Sequence, residues 1–353
     1  MPGPVHHKNT PPIHHHTPTS QPDKLSRFLK ALRRVSNDIC TRSVDLFCGC
    51  FSKPKPRTKN TTSKTSSEKD SNTNKLQSCS LLKSDENLEN LISTLEQDIT
   101  DQTYFNSHYA KKDLEMLPHM IREANKKHPG LNLTFVTTLE DNIAKSIENS
   151  ISAGLKSFRF IINQGIPGRN HCAVMDCKLI GDKISCILFE PASFMFSSAF
   201  CLFDAAMPAM KKIPKCYFSP VEMNIQKSHS ECIIFSLGIA KKLHIQRESV
   251  QLKKMHEDNI KQTLLEEGGL ALQYKKFDQR GFSMSFYKHA QSRTRIKERI
   301  SLNEESGDEI VNKKGETILD RFDRHLIEVE GKQKSVSAHK KRIKEYQLIL
   351  KNQ

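Results

Sequence analysis

Residues 171–192 read HCAVMDCKLIGDKISCILFEPA. Two apolar runs flank Gly181-Asp182, a two-residue pair that signals a β-hairpin with a type II′ turn. If Ile180 faces Lys183 across that turn, Glu190 faces Ala173. His171 lies two residues before Ala173 and shares its face. His171 and Glu190 are then diagonal cross-strand neighbours, with Cβ atoms roughly 7 Å apart or less. A glutamate side chain bridges that gap to an imidazole. Asp176, the rival partner, has the opposite parity and points to the other face. Spacing alone also allows a solvent-exposed His and Glu at the two ends of a hairpin, and a slip of one residue would invert the pairing.

Further along, residues 226–243 read QKSHSECIIFSLGIAKKL. Ile233, Ile234, Phe235, Leu237, Ile239 and Ala240 make a short buried helix, with Cys232 at its start and Ser228 or Ser230 as candidate caps. A thiol at a helix N-terminus meets the positive end of the dipole, which favours thiolate. A buried structural cysteine is the alternative reading. The polar run before Cys232 suits the rim of a site better than a core. Gln226 is a candidate oxyanion donor, together with the backbone N–H of Cys232. His171, Glu190, Gln226 and Cys232 thus offer a base, its orienter, an oxyanion donor and a nucleophile. His229 competes as the base by proximity in sequence, without a carboxylate to orient it.

Around these segments the chain is an uneven one. It has 353 residues, 36% of them hydrophobic, and a mean hydropathy of −0.57. No stretch approaches the ~18 consecutive apolar residues that a membrane-spanning helix needs, and the first thirty residues lack a signal-peptide core. Net charge is +15. Residues 1–80 carry 14 Lys/Arg against 5 Asp/Glu (+9), and the remainder 41 against 35 (+6). A nucleic-acid enzyme would more often hold its charge on the folded part, so no nucleic-acid partner is expected. The ten cysteines form no disulfide framework and no zinc spacing, which suits a reducing compartment and no metal.

Residues 1–80 read as a disordered region, His/Pro/Thr-rich and then Ser/Thr/Lys/Asn-rich. Within it, residues 24–36 contain a short basic amphipathic helix (Leu25, Phe28, Leu29, Leu32). Cys48 and Cys50 beside Lys53, Lys55, Arg57 and Lys59 could mark S-acylation and membrane contact, or a merely flexible segment. From residue 85 the pattern is globular. A helical stripe (Leu88, Leu91, Ile92, Leu95), with Ser84 a plausible cap, leads to a helical region over 103–127, bent or broken near Pro118. A strand over 131–138, a helix over 139–152 and a strand over 158–163 follow. Residues 246–353 read as charged and mostly helical. The expectation is an α+β fold, with a catalytic core over 85–245 and a helical annex that completes it.

The His-x18-Glu hairpin, the Gln-x5-Cys step and SECIIFSLGIAKKL resemble the YopJ family of type III secreted effector acetyltransferases. KMHEDNIK (254–261), FYKHAQS (286–292), VNKKGETILDRFD (311–323) and VSAHKKRIKEYQLIL (336–350) continue the resemblance over roughly 85–353, within the animal-pathogen branch. Residues 1–80 match only in character: flexible and polar, they are similar to the secretion or targeting region that the resemblance implies. The resemblance implies a mixed sheet flanked by helices, similar to the ubiquitin-like-protein cysteine proteases. It makes His171 the base, Glu190 its orienter, Cys232 the nucleophile and Gln226 the oxyanion-hole glutamine. It implies acetyl transfer from acetyl-CoA to Ser, Thr or Lys of host kinases of the MAP-kinase-kinase tier, delivery into the host cell cytoplasm, and a block of MAP kinase and NF-kappaB signalling.

The resemblance also implies inositol hexakisphosphate as activator. Residues 253–299 supply Lys253, Lys254, Lys261, Lys288, Arg293, Arg295, Lys297 and Arg299 for a polyphosphate, or else a solvated basic face. Lys288-His289 stands at the family's Lys-His motif, which makes Lys288, His289, Ser292, Arg293 and Arg295 the candidate cofactor-binding set. Two departures stand out: Ile233 follows the nucleophile where relatives often have Gly, a change that could narrow access to the sulfur, and Ala290 stands where they often have Ser or Thr. A protease or deubiquitinase with the same triad, or a kinase-binding decoy, are the rival readings.

Overall fold

The computed structural model describes residues 85–104, 109–139, 141–264, 281–329 and 331–352. The readings placed on residues 1–80, and Ser84 as a cap, lie outside these. The described elements run α1 (Asp85–Thr100), α2 (Ala110–Lys127), β1 (Leu133–Thr137), α3 (Asn142–Ser152), β2 (Ser157–Asn163), β3 (Cys172–Ile180), β4 (Lys183–Glu190), α4 (Ser197–Lys211), β5 (Cys216–Glu222) and α5 (Cys232–Ile245). Then come α6 (Val250–Leu264), a 3₁₀ turn (Met284–Tyr287), α7 (Arg293–Ser301), a second 3₁₀ turn (Glu304–Asp308), α8 (Ile318–Arg324), β6 (Leu326–Val329), β7 (Lys332–Ser335) and α9 (Ser337–Lys351).

The five longer strands form one sheet in the order β1-β2-β3-β4-β5. The outer pairs, β1–β2 and β4–β5, are parallel, and the two inner pairs are antiparallel. The hairpin register is the one the sequence predicts: Ile180 faces Lys183 and Val174 faces Phe189. Gly181 takes a positive φ (61°) and Asp182 does not, as a type II′ turn requires. Alternation along the strands splits the core in two. Cys172, Val174, Ile187 and Phe189 face α5 and α2, whereas Ala173, Met175, Cys186 and Leu188 face α3 and α4. Sheet and helices thus make the mixed α+β architecture.

Helix α5 explains itself by composition. Over its first nine residues Ser236 is the one polar side chain, and its hydroxyl is satisfied by the Cys172 carbonyl, a pattern that belongs in a core rather than on a surface. Ile233, Leu237, Ala240 and Leu243 are fully buried against β3, α2 and α9. Truncating Leu237 would remove about 2–5 kcal/mol. The helix-breaking risk of Pro118 is absorbed inside α2, which continues through it. The annex differs from expectation. Among its helices it holds the β6–β7 hairpin, closed at Gly331 with φ of 71°. Its apolar residues (Met284, Tyr287, Ile296, Ile343, Tyr346) join the same core cluster as Leu117 and Ile233.

Candidate active site

Three elements converge at one end of the sheet. His171 precedes β3, Glu190 ends β4, and Cys232 opens α5. His171 Nε2 lies 2.9 Å from Glu190 Oε2. Glu190 is fully buried, and its other oxygen accepts the Ala192 backbone N–H at 2.8 Å. That second bond fixes the carboxylate and, through it, the ring. The imidazole also meets the Cys232 thiol, and the two groups shift each other's protonation.

Burial by itself would lower the His171 pKa. The Glu190 charge and the hydrogen bond to Cys232 outweigh that and raise it to about 10. The Cys232 thiol moves the other way, well below its ordinary value. A hydrogen bond from Cys172 is the largest cause, opposed by burial and reinforced by His171. An imidazolium–thiolate pair at a helix start is the result. Cys232 is 1% exposed, and its sulfur lies 3.4 Å from the Asn170 carbonyl. The Cys172 sulfur lies 3.8 Å from that same oxygen.

Several expectations are refined here. Ser228 and Ser230 do not cap α5. Its N-cap is Glu231, without a side-chain capping bond, and the Ser228 hydroxyl instead donates to Glu231. Gln226 is buried just ahead of the helix, but its amide nitrogen donates to the Ser228 carbonyl at 2.7 Å, and its oxygen has no hydrogen-bond partner. An amide has two N–H groups, so one donor stays available. His229 lies edge-on to Phe196 at 5.7 Å between ring centres. Ile233 is turned into the core rather than over the sulfur, because the helix start puts it on the buried face.

Sequence reading missed Cys172, Asn170 and Asn163. Asn163 Nδ2 donates to the His171 carbonyl at 2.8 Å and thereby fixes the chain entering β3. Cys172, adjacent to His171, is visible in the sequence, but which face α5 covers is not.

A second feature lies in the annex. A cavity of about 680 Å³ is lined by Lys288, Lys313, Lys314, Arg321, Arg324, Lys340, Lys341 and Lys344, with His289 and His325 among them and Glu96 the one acid in its wall. Burial and the neighbouring Arg321, Lys242 and Lys341 push the Lys288 pKa down to about 8. Burial, then Arg321, hold His289 well below its usual value. Arg324 pairs with Glu316 and Lys341 with Glu345, but eight cations converge here on one space with a single acid in its wall, an excess that fits a polyanion. Of the candidate cofactor set, Lys288 and His289 line this cavity. Ser292, Arg293 and Arg295 do not. Ser292 caps α7, Arg293 pairs with Asp323, and Arg295 donates to the Met223 carbonyl and lies over the Tyr287 ring. Lys253 pairs with Glu248, and Arg299 is buried against the Phe282 carbonyl. The cavity's cations come from 288, 313–324 and 340–344 instead.

A buried Glu–His–Cys arrangement at the start of a core helix, on a mixed sheet, holds the groups that acyl transfer through a cysteine needs. The family model described as YopJ serine/threonine acetyltransferase matches residues 88–348. The chain is 45% identical over 274 residues to the serine/threonine-protein acetyltransferase YopJ of Yersinia pestis, covering 77% of this chain and 93% of that protein. The Yersinia pseudotuberculosis protein of the same name gives the same figures. Among solved structures, a deletion variant of AvrA with IP6 and CoA is 39% identical with a TM-score of 0.67, over 75% of this chain and 98% of that one. HopZ1a with IP6 shares the fold at a TM-score of 0.59 and 19% identity, over 74% and 92% of the two chains. This chain belongs to the YopJ family of serine/threonine acetyltransferases.

Proposed function

We propose that this protein is a secreted effector that moves acetyl groups from acetyl-CoA to serine or threonine hydroxyls, or lysine amines, of host signalling kinases of the MAP-kinase-kinase type. The observation that carries the reading is His171 held between Glu190 at 2.9 Å and the Cys232 thiol. The Cys232 thiolate attacks the thioester carbonyl of acetyl-CoA, breaking the carbonyl π bond. The Cys232 amide and the spare N–H of Gln226 are the donors available to the oxyanion. The intermediate collapses, the bond to CoA sulfur breaks, and CoA leaves with the proton from His171. An acetyl-Cys232 thioester remains. His171 then takes the proton of the acceptor hydroxyl as that oxygen attacks, and the thiolate is released. Glu190 keeps the imidazole oriented and stabilises its charged form in both halves.

The basic annex cavity, with Lys288 and His289 in its wall, is the proposed seat of inositol hexakisphosphate, the IP6 of the AvrA and HopZ1a structures. Bound there, it would offset the excess positive charge that the ion pairs of Arg324 and Lys341 leave. The region 246–353 would then regulate the core over 85–245.

The test is intact mass after incubation with acetyl-CoA, with and without inositol hexakisphosphate, for wild type and Cys232→Ala. One acetyl adduct, formed by wild type with the activator and absent from Cys232→Ala, is the expected result. Equal acetylation by Cys232→Ala would end the acyl-cysteine scheme, and no adduct under any condition would return the site to hydrolysis of ubiquitin-like conjugates.

A further inference from the structure

Between β5 and α5 the chain from Met223 to Glu231 has no regular secondary structure, yet it carries Gln226 and delivers Cys232 to its place. What fixes the later part of this loop comes from far along the chain. The Gln291 side-chain oxygen accepts the backbone N–H groups of Lys227 (2.6 Å) and Ser228 (3.0 Å). Its amide nitrogen donates to the Ser228 hydroxyl (3.2 Å) and to the Glu231 carboxylate. Its backbone N–H donates to the Ile225 carbonyl (2.9 Å). Both acceptor positions and both donors of the carboxamide are used, and every one ends on residues 227–231.

The other end of the same short segment is the wall of the basic cavity. Lys288 and His289 line it. The Lys288 carbonyl accepts Arg321 Nε at 3.1 Å, and His289 Nδ1 lies 2.8 Å from the Ser337 hydroxyl. Arg321 and Ser337 are themselves cavity residues. A four-residue strip therefore joins the polyanion cavity to the nucleophile's loop. From the opposite side Arg342 donates to the Ser230 carbonyl at 2.9 Å, so the loop is gripped twice by the annex.

We propose that Gln291 is a positioning residue for acetyl transfer: it sets the 226–231 loop and ties the geometry of Cys232 to the occupancy of the basic cavity. This rests on the acetyltransferase reading above. The hydrogen bonds of Gln291 end on the loop and not on the sulfur. The residue acts through the loop.

The variants are Gln291→Ala, Gln291→Glu, and the exchange Gln291→Glu with Glu231→Gln. Three quantities are read: calorimetric affinity for inositol hexakisphosphate, acetylation rate at saturating acetyl-CoA, and the alkylation rate of Cys232 by iodoacetamide with and without inositol hexakisphosphate. Gln291→Ala keeps the polyphosphate affinity of wild type but loses about 10²-fold in rate, the scale of a small misplacement. Its Cys232 alkylation no longer responds to polyphosphate. Gln291→Glu sets two carboxylates against each other and is impaired at least as much. The exchange restores the donor–acceptor pair in reverse and recovers rate and response, which a merely structural role would not predict.

Wild-type rate and response in Gln291→Ala would overturn the proposal. So would loss of polyphosphate affinity in that variant, which would make Gln291 a builder of the cavity, or an exchange variant no better than Gln291→Glu. If wild type itself transfers no acetyl group, the acetyltransferase reading fails, while the alkylation response still judges Gln291.

Discussion

At the end of the central strands Glu190 holds His171 against Cys232. Midway along the same strands Asp176 holds His256 against Ser185, with His256 Nε2 3.1 Å from Asp176 and Nδ1 2.9 Å from the Ser185 hydroxyl. By distances alone both trios are acid, base and nucleophile. Their settings differ. Ser185 and Asp176 point from β4 and β3 into a seam closed by α6, and every member of the trio is at most 2% exposed. The Ser185 hydroxyl also takes a hydrogen bond from Asn259 at 2.8 Å. Asp176 is already neutralised by Arg159, 2.9 Å away, a close ion pair whose Nε–H is not aimed for a hydrogen bond. Cys232 is just as enclosed, but its sulfur lies against the Asn170 carbonyl, in the partly exposed 165–171 loop, and it sits at a helix start. The comparison teaches that such a trio is defined less by its distances than by an acid free of a competing ion pair and a nucleophile at a helix terminus. The inner trio is a strut.

The sharpest way to break this contrast is to remove each nucleophile. Cys232→Ala should lose about 10⁴-fold or more in acetylation, as other catalytic nucleophiles do, whereas Ser185→Ala should acetylate like wild type per folded molecule. Glu190→Gln comes next. It leaves the imidazole in place but removes the charge that lifts the His171 pKa to about 10. A loss of about 10³–10⁴-fold is expected by analogy with acid-to-amide changes in other triads. Cys232 alkylation, level across neutral pH in wild type because the thiolate is already formed, should then begin to rise with pH as the His171 contribution weakens, while the Cys172 hydrogen bond keeps it below an ordinary thiol.

The inner trio should respond in stability instead. Asp176→Ala strands Arg159 and should cost about 3–5 kcal/mol in urea unfolding. Ser185→Ala leaves His256 and Asn259 without their shared hydroxyl and should cost about 1–3 kcal/mol. Loss of acetylation in correctly folded Ser185→Ala would overturn the distinction.

The smallest effect concerns the cavity. Lys288, depressed to about 8, is partly neutral at that pH. Polyanion binding there should draw protons from solution, read as a dependence of the calorimetric heat on buffer. The sign also predicts that without the anion the depressed lysine makes stability rise with pH between about 8 and its unfolded value near 10.4, because the unfolded chain binds more protons in that window.

The legible part of the site was its local part. His171 and Glu190 follow from one turn and the parity of two strands. Cys232 follows from a polar-to-apolar boundary. Gln291 and Arg342 grip the same loop from |i−j| of 63 and 112, and no periodicity encodes such pairings. The cavity shows the same limit. Linear density of basic residues pointed to 253–299, but Lys253, Arg293 and Arg299 have partners of their own. The cations that converge are scattered over 288–344 and meet only after α8 and α9 pack. The β6–β7 hairpin was hidden because IEVEGKQKS is charged and short, and a single Gly331 turn decides it.

The two halves of the triad also differ in how they assemble. His171 and Glu190 are 19 residues apart and are joined by a two-residue turn, whereas Cys232 docks on Asn170 across 62 residues. Closing the short loop costs less chain entropy and can come early, and the long one waits for α5 to pack. A partly folded chain therefore carries its base already oriented beside an ordinary, unactivated thiol. The activated cysteine therefore requires α5 docked on β3, whereas the oriented base does not.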